Sequence, residues 1–223
     1  MIQLIPSQIE EFHRNGFLVV RNLITSEEIE ELLASYEKAV SGEIEVPTFG
    51  GDKPQGGVVQ LAHPSRHIPG WREHAYFKSA LSISRQLLGE DLAYNYDQII
   101  YKPAQTRGET HWHQDAAYWK GSEAEERGVT CWLSLGESFR ENGGMQFVEG
   151  SHLSPLQEHF SIAAESQIAN ALATHVDASQ AVACTLRPGD ASFHHCRTLH
   201  YTGHNESDVP RHGLITHFAP EAK

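Results

Sequence analysis

Five consecutive residues, His111-Trp112-His113-Gln114-Asp115, place two imidazoles and a carboxylate in one short stretch. On an extended segment alternate side chains share a face, so His113 and Asp115 can address one metal ion, with His111 close behind them. A second His-x-Asp pair, His175 and Asp177, sits beside Ala178-Ser179-Gln180 after a segment of helical character. His113 instead follows a strand-like run and has Trp112, Tyr118 and Trp119 as neighbours, which makes the first pair the better candidate. Two groups on one strand cannot complete a facial ligand set, and the six histidines between His194 and His217 are the richest source of a third. His200 is the choice there, with Thr202 and His204 on the same strand face and Arg211 after a turn ending at Pro210. That separation lets one strand turn back beside the other and aim a guanidinium into the cavity of His200. An arginine grips a carboxylate through a fixed fork of donors and stays charged when enclosed. Two imidazoles, one carboxylate and a carboxylate clamp describe an iron(II) site that uses an oxo-acid cosubstrate.

The elements that must position these groups are legible from periodicity and punctuation. Ser7-x-x-Glu10 and Thr25-x-x-Glu28 have capping-box spacing, and Gly16 and Gly42 stand where left-handed helix ends are expected. Phe17–Val20 between them predicts a buried strand, and Glu73 to Leu88 predicts a helix stopped by Gly89. Ser41 to Gly70 is rich in Gly and Pro and reads as a long loop. After Gly89 the period becomes two, giving strands at Leu92 to Tyr101, Thr110 to His113, Val129 to Gly136, Met145 to Val148, Ala181 to Leu186, Ala191 to Cys196, Leu199 to Thr202 and Gly213 to Phe218. Leu156 to Ala173 reads as a helical insertion among them. The pattern predicts a mainly β sandwich or barrel with flanking α-helices, the N-terminal ones packed outside.

Composition bounds the function. The 223 residues suit one decorated domain better than two, at about 150 residues per domain. Lys plus Arg number 17 against 29 Asp plus Glu, a net charge of −12, which disfavours nucleic acid or an anionic membrane as partner. No apolar run reaches the roughly 20 residues of a membrane span, and the N-terminus lacks the pattern of a secretory signal. Three cysteines without C-x-x-C spacing argue against a disulfide framework or a cysteine-rich zinc site. The expectation is a cytoplasmic protein that works on a small molecule.

His113-Gln114-Asp115, the run from Glu141 through Asn142-Gly143-Gly144 to Gly150-Ser151-His152, and the tail from Pro188-Gly189-Asp190 through His200-x-Thr202 to Arg211 resemble the phytanoyl-CoA dioxygenase family of Fe(II)/2-oxoglutarate oxygenases. Phe12-x-x-x-Gly16-Phe17-Leu18-Val19 resembles how those proteins begin, so the likeness spans almost the whole chain. It implies a double-stranded β-helix (jelly-roll, cupin-like) barrel within a single domain over 1–223, with an elaboration at 1–91, a core at 92–220 and an insertion at 153–178. It further implies Fe(II) held by His113, Asp115 and His200, with 2-oxoglutarate and O2 as the other reactants. The distal carboxylate of 2-oxoglutarate would be held by Arg211 with the hydroxyl of Thr202, and Gln98 and Trp132 match positions lining that pocket. Halogenating relatives carry a small residue in place of the carboxylate, so Asp115 implies hydroxylation or a related oxidation, with succinate and CO2 released.

Ser41 to Gly70, Tyr118 to Gly128 and His152 to Thr174 are the expected covers of the iron, and Tyr94 and Tyr96 share a strand face with Gln98. Glu123, Glu125 and Glu126 in the middle cover would favour a cationic substrate. No basic cluster is present to hold the phosphates of coenzyme A, which points to a free small molecule. Two other readings compete. His111-x-His113-x-Asp115 also resembles the opening of the metallo-β-lactamase dinuclear zinc pattern, although its closing histidine is Ala116 here. A non-catalytic jelly-roll binding or sensor module would lack a ligand or the clamp, and this chain lacks neither.

Overall fold

The computed structural model describes residues 2–49, 57–162, 166 and 170–221. In chain order the elements are α1 (Pro6–Asn15), β1 (Phe17–Val20), α2 (Ser26–Ser41), β2 (Val59–Ala62), α3 (Ala75–Leu88), β3 (Leu92–Lys102), β4 (Thr110–His113), α4 (Ala124–Arg127), β5 (Val129–Ser134) and β6 (Met145–Val148). They continue as β7 (Phe160–Ser161), β8 (Leu172–Ala173), β9 (Ala181–Ala183), β10 (Ala191–His195), β11 (His200–Thr202) and β12 (Arg211–Pro220). Six strands pair in the order β1-β10-β5-β12-β3-β2 and four in the order β4-β11-β6-β9, all antiparallel. The sheets face each other across Phe17, Trp132, Met145, Phe147 and Ile215, with the Phe17 and Phe147 rings stacked at 4.4 Å. This is the expected double-stranded β-helix, mainly β with helices outside. Segment 1–91 does more than decorate it, because β1 and β2 are the two edges of the larger sheet.

Alternation explains how one strand serves two layers. On β5, Val129, Cys131 and Leu133 join Leu32, Tyr36, Tyr76 and Ile83 from α2 and α3 in the larger core, while Trp132 turns between the sheets. Burying an aliphatic side chain such as Leu32 or Ile83 contributes about 1.5–3 kcal/mol, so α2 and α3 are held mainly by this face. The α2 start is as expected: Thr25 Oγ1 accepts from the Glu28 amide at 3.3 Å, and Glu28 returns to the Thr25 amide at 2.8 Å. Gly16 and Gly42 close α1 and α2 in left-handed conformations. At α1 the expectation shifts by two residues, from Ser7 and Glu10 to Ile5 and Gln8. Pro6 takes the first helical position, its missing N–H costing nothing there, and Gln8 rather than Glu10 accepts from the Ile5 amide at 3.0 Å.

Two expectations are corrected. The described part of Leu156 to Ala173 holds no helix, because β7 and β8 pair as a hairpin and Tyr118 accepts from the Leu172 amide at 3.0 Å. Tertiary partners override the helical propensity of its Leu, Glu, Gln and Ala residues; residues 163–165 and 167–169 lie outside the described set. The stretch from Ser41 to Gly70 is not all loop, since β2 pairs with β3 and a 3-10 turn follows at Pro64–Arg66. Four residues between Gly57 and Pro64 are too short a run for periodicity to separate from a loop.

The Asn142-Gly143-Gly144 turn packs against Lys102, at the end of β3, and Gly203, just after β11. Gly143 has φ +77°, and a Cβ there would lie 2.5 Å from the Gly203 carbonyl oxygen and 3.0 Å from Lys102 Cδ. Gly143→Ala is expected to destabilise the protein by about 1–3 kcal/mol, read as a lower urea midpoint with unchanged m.

Candidate active site

Three ligand atoms converge where β4 and β11 lie side by side. His113 and His200 are direct partners across the ladder, and Asp115 follows at the start of a 3-10 turn. Asp115 Oδ1 is 3.7 Å from His113 Nε2 and 3.6 Å from His200 Nε2, and all three ligand atoms lie within 4.8 Å of one another. Among the described residues this is the one group of three or more His, Cys, Asp or Glu that meets so closely. Tautomers decide whether the group suits a metal. His113 Nδ1 is 2.8 Å from the His111 carbonyl oxygen and His200 Nδ1 is 2.9 Å from that of Thr198, so both Nδ1 atoms donate. Each Nε2 therefore turns a lone pair toward Asp115, the arrangement that fixes a metal-binding imidazole. Separations of this size suit donors about 2 Å from a shared ion.

Electrostatics agree. Burial, reinforced by the neighbouring His113 and His194, keeps His200 well below the usual imidazole range and so neutral. Burial alone would push the Asp115 carboxyl up; the group is held well below the usual carboxylate range by positive charge at the His200 position and hydrogen bonds at the His113 and His194 positions. With both Nε2 atoms unprotonated, a bound cation would supply that charge. Its second oxygen, Oδ2, accepts from Thr130 Oγ1 at 2.5 Å and lies 3.3 Å from His194 Nε2.

The hydrogen bonds behind Thr130 run in one direction. Gln60 Nε2 donates to Gln98 Oε1 at 2.8 Å, which leaves Gln98 Nε2 to donate to His217 Nε2 at 3.0 Å. His217 Nδ1 then carries the proton and donates to Thr130 Oγ1 at 2.9 Å, and the Thr130 hydroxyl donates to Asp115. Burial holds His217 down at about 4, so it stays the neutral link this chain requires. Tyr96 stacks on its ring at 4.1 Å.

Behind the metal-facing group, an inner recess is lined by Thr202, Arg211, Trp132, Met145, Gln98 and Ile215 together with His113, Asp115 and His200. The seven residues expected to hold the metal or line the cosubstrate pocket, His113, Asp115, His200, Arg211, Thr202, Gln98 and Trp132, therefore face one space. Arg211 is 1% exposed, donates to the Gly143 carbonyl, and has its guanidinium 5.2 Å from the Trp132 ring. Burial lowers it to about 10. Gly213 allows this approach, since a Cβ there would lie 2.6 Å from the Trp132 ring. An outer cavity of about 380 Å³ meets the recess at Gln98, His113, Asp115 and His217. All three expected covers reach it, through Phe49 and His63, through Tyr118 and Trp119, and through Asn170.

Several expectations require correction. Arg211 does not arrive by a hairpin beside His200: β12 pairs with β3 and β5 in the larger sheet, and Arg211 faces His200 from across the sandwich. His111 is not behind His113. Thr110 opposes Thr202 while His113 opposes His200, so three steps on β4 match two on β11, a bulge that sends Thr110 and His113 to the cavity. His111 turns outward to Glu109, 3.4 Å away, and Trp112 stacks on Tyr201 outside the cavity. A second bulge separates Tyr94 from Tyr96, because Phe218 opposes Tyr94 and His217 opposes Tyr96. Tyr96 lines the cavity, whereas Tyr94 packs on the helix side and bonds Asp97 at 2.7 Å. His204 lies in a separate outer groove. Glu123, Glu125 and Glu126 do not line the cavity; Glu126 pairs with Arg197 and Glu125 accepts from the Gly121 amide. Asp177 caps a turn at the Ser179 amide, and no metal group forms with His175 among the described residues.

Sequence reasoning missed Thr130, His194, His217 and Lys102 as neighbours of the site. Stepping by two from Trp132 reaches Thr130, and from Arg211 reaches His217, so the signal was present once the strands were paired.

Comparison with known proteins now decides the family. The phytanoyl-CoA dioxygenase (PhyH) family model matches residues 12–213. The chain belongs to the phytanoyl-CoA dioxygenase family. Its reaction class is that of the family, iron(II)- and 2-oxoglutarate-dependent dioxygenation. Relatives include the "Probable alpha-ketoglutarate-dependent hypophosphite dioxygenase" of Stutzerimonas stutzeri, 23% identical over 97% of this chain and 79% of that protein. The ectoine dioxygenase of Bordetella bronchiseptica is 24% identical over 93% of this chain and 73% of its own length. Among solved structures, EvdO2 of Micromonospora carbonacea var. aurantiaca complexed with 2-oxoglutarate superposes with a TM-score of 0.83, at 28% identity, over 98% of this chain and 91% of that one. Family membership displaces the dinuclear zinc hydrolase reading, which the outward turn of His111 and the buried Ala116 also oppose.

Thr130→Val, which keeps shape and removes the hydroxyl, is expected to weaken binding of a divalent metal by about tenfold to a hundredfold in calorimetric titration. Thr130→Ser should restore it.

Proposed function

We propose that His113, Asp115 and His200 hold iron(II), that Arg211 and Thr202 hold the distal carboxylate of 2-oxoglutarate, and that the protein, one oxygenase domain, hydroxylates or otherwise oxidises an unactivated C–H bond of a small molecule. The observation that carries this reading is the convergence of two Nε2 lone pairs and one carboxylate oxygen beside a recess that ends on a buried guanidinium. Bound iron supplies activation of O2 coupled to oxidative decarboxylation of 2-oxoglutarate to succinate and CO2. The protein's own residues supply position and electrostatics. Thr130 and His194 occupy Oδ2 of Asp115 and leave Oδ1 for the metal. Gln98 and Trp132 form the walls between the two ends of the recess, and the Arg211 fork faces a carboxylate with two donors at fixed spacing. A carboxylate as third ligand favours hydroxylation over halogenation.

The outer cavity suits an uncharged substrate. Its described lining has the rings of Phe49, Tyr96, Tyr118 and Trp119 and the neutral polar groups of Gln60 and Asn170, with no Lys or Arg. An oxyanion such as hypophosphite, or the phosphates of coenzyme A, would call for cations there. The cavity volume lies within the range of small-molecule sites. No helix among the described residues is long and apolar enough to cross a membrane. The three free, buried cysteines support a reducing compartment such as the cytoplasm.

The test is succinate release from 2-oxoglutarate, expected only with both iron(II) and O2 present; no release under these conditions would leave the non-catalytic binding module as the better reading. Asp115→Ala is expected to abolish turnover with the fold retained by circular dichroism, whereas Asp177→Ala leaves it nearly intact. Arg211→Lys should raise KM for 2-oxoglutarate on the order of tenfold and leave metal affinity unchanged, because a point charge replaces a fork.

A further inference from the structure

Lys102 is 0% exposed and lies directly across the ladder from Arg211, which is 1% exposed. Like charges directly opposite one another in a sheet repel, and a buried ammonium without a counter-ion is costly. Neither residue forms an ion pair among the described residues, and Arg211 Nε has no hydrogen-bond partner. Each cation is instead seated on a glycine carbonyl, Lys102 Nζ on Gly203 and Arg211 Nη1 on Gly143. The close packing of the Gly143 turn on Gly203 brings these two seats together. Lys102 also donates to Thr202 Oγ1 at 3.3 Å, while Thr202 and Arg211, but not Lys102, line the recess. A hydroxyl that accepts from an ammonium behind it must send its own proton elsewhere, and here the recess lies on the other side.

From this arrangement we propose that Lys102 is a positioning residue for the cosubstrate: it aims the Thr202 hydroxyl into the recess and adds a second positive charge behind it when an anion is bound, so that the recess selects a keto acid with a second, distal carboxylate. This rests on the reading that Arg211 holds that carboxylate. Burial, and after it the Arg211 charge, hold the Lys102 ammonium well below its usual range, a strain that an arriving anion relieves. The lysine touches no ligand itself. Its effect passes through Thr202 and through the field, so it should alter discrimination between ligands rather than binding in general.

The experiment compares wild type, Lys102→Met, Lys102→Gln and Arg211→Met, each loaded with iron(II) under anoxia and titrated calorimetrically. The two probes are 2-oxoglutarate and 2-oxopentanoate, which has a methyl group in place of the distal carboxylate. For Lys102→Met, affinity for 2-oxoglutarate should fall by about tenfold to a hundredfold, the worth of a charge-assisted contact, and affinity for 2-oxopentanoate should stay within about twofold. Lys102→Gln, neutral but still able to donate to Thr202, should fall between the two proteins. Equal loss for both probes, no loss for 2-oxoglutarate, or failure of both Lys102 variants to fold would overturn the proposal, since each assigns Lys102 a purely structural part or none. If Arg211→Met also leaves 2-oxoglutarate binding unchanged, the assignment of the recess itself fails.

Discussion

An ionised carboxylate enclosed between two β-sheets is the constraint around which this molecule is arranged. Asp115 is 7% exposed, and at that depth every oxygen must be given a partner. The larger sheet supplies Thr130 and His194 to Oδ2, while on the smaller sheet two Nε2 lone pairs face Oδ1 across the space that a cation would fill. One side chain therefore links the two sheets through polar contacts at the place where the apolar packing of Phe17, Trp132, Phe147 and Ile215 gives way to the cavity. The link forms only if the sheets close in the right register, so the site depends on the packing of the sandwich.

The far end of the recess poses the opposite electrostatic problem. Arg211 and Lys102 bring positive charge into the interior with carbonyls rather than carboxylates as partners. Anionic and imidazole groups at one end and cations at the other, with Trp132 between, make a slot polarised along its length. The keto diacid proposed for this recess has the same polarity, with a keto acid at one end and a carboxylate at the other. The Asn142-Gly143-Gly144 turn and Gly203 fix the cationic end, which gives a motif without reactive side chains a direct part in the site.

Two bulges show why part of the site escaped a reading from the sequence. Period-two logic carried His111 toward the metal and Tyr94 toward the cavity, and both predictions fail where one strand gains a residue against its partner. An extra residue changes no local propensity, so nothing in the run Thr110–His113 or Leu92–Lys102 announces it. Arg211 illustrates a different limit. The residue and its destination were legible, while the route was not, since a turn at Pro210 is equally compatible with a hairpin and with a crossing to the other sheet. Leu156 to Ala173 failed because its hairpin is held by Tyr118 and β4 rather than by its own preferences.

The sequence by itself determined most element types outside Ser41 to Gly70 and Leu156 to Ala173, the helix ends at Thr25, Gly16 and Gly42, and the candidacy of His113, Asp115, His200 and Arg211, because caps, alternation and rare donor residues are local properties of the chain. Only the tertiary structure decided which faces those strands turn inward, that Thr130, His194 and His217 stand behind the carboxylate, and that Lys102 shares the buried end with Arg211. Those facts depend on register between strands distant in sequence, and register is set by the packing of whole sheets rather than by any segment alone.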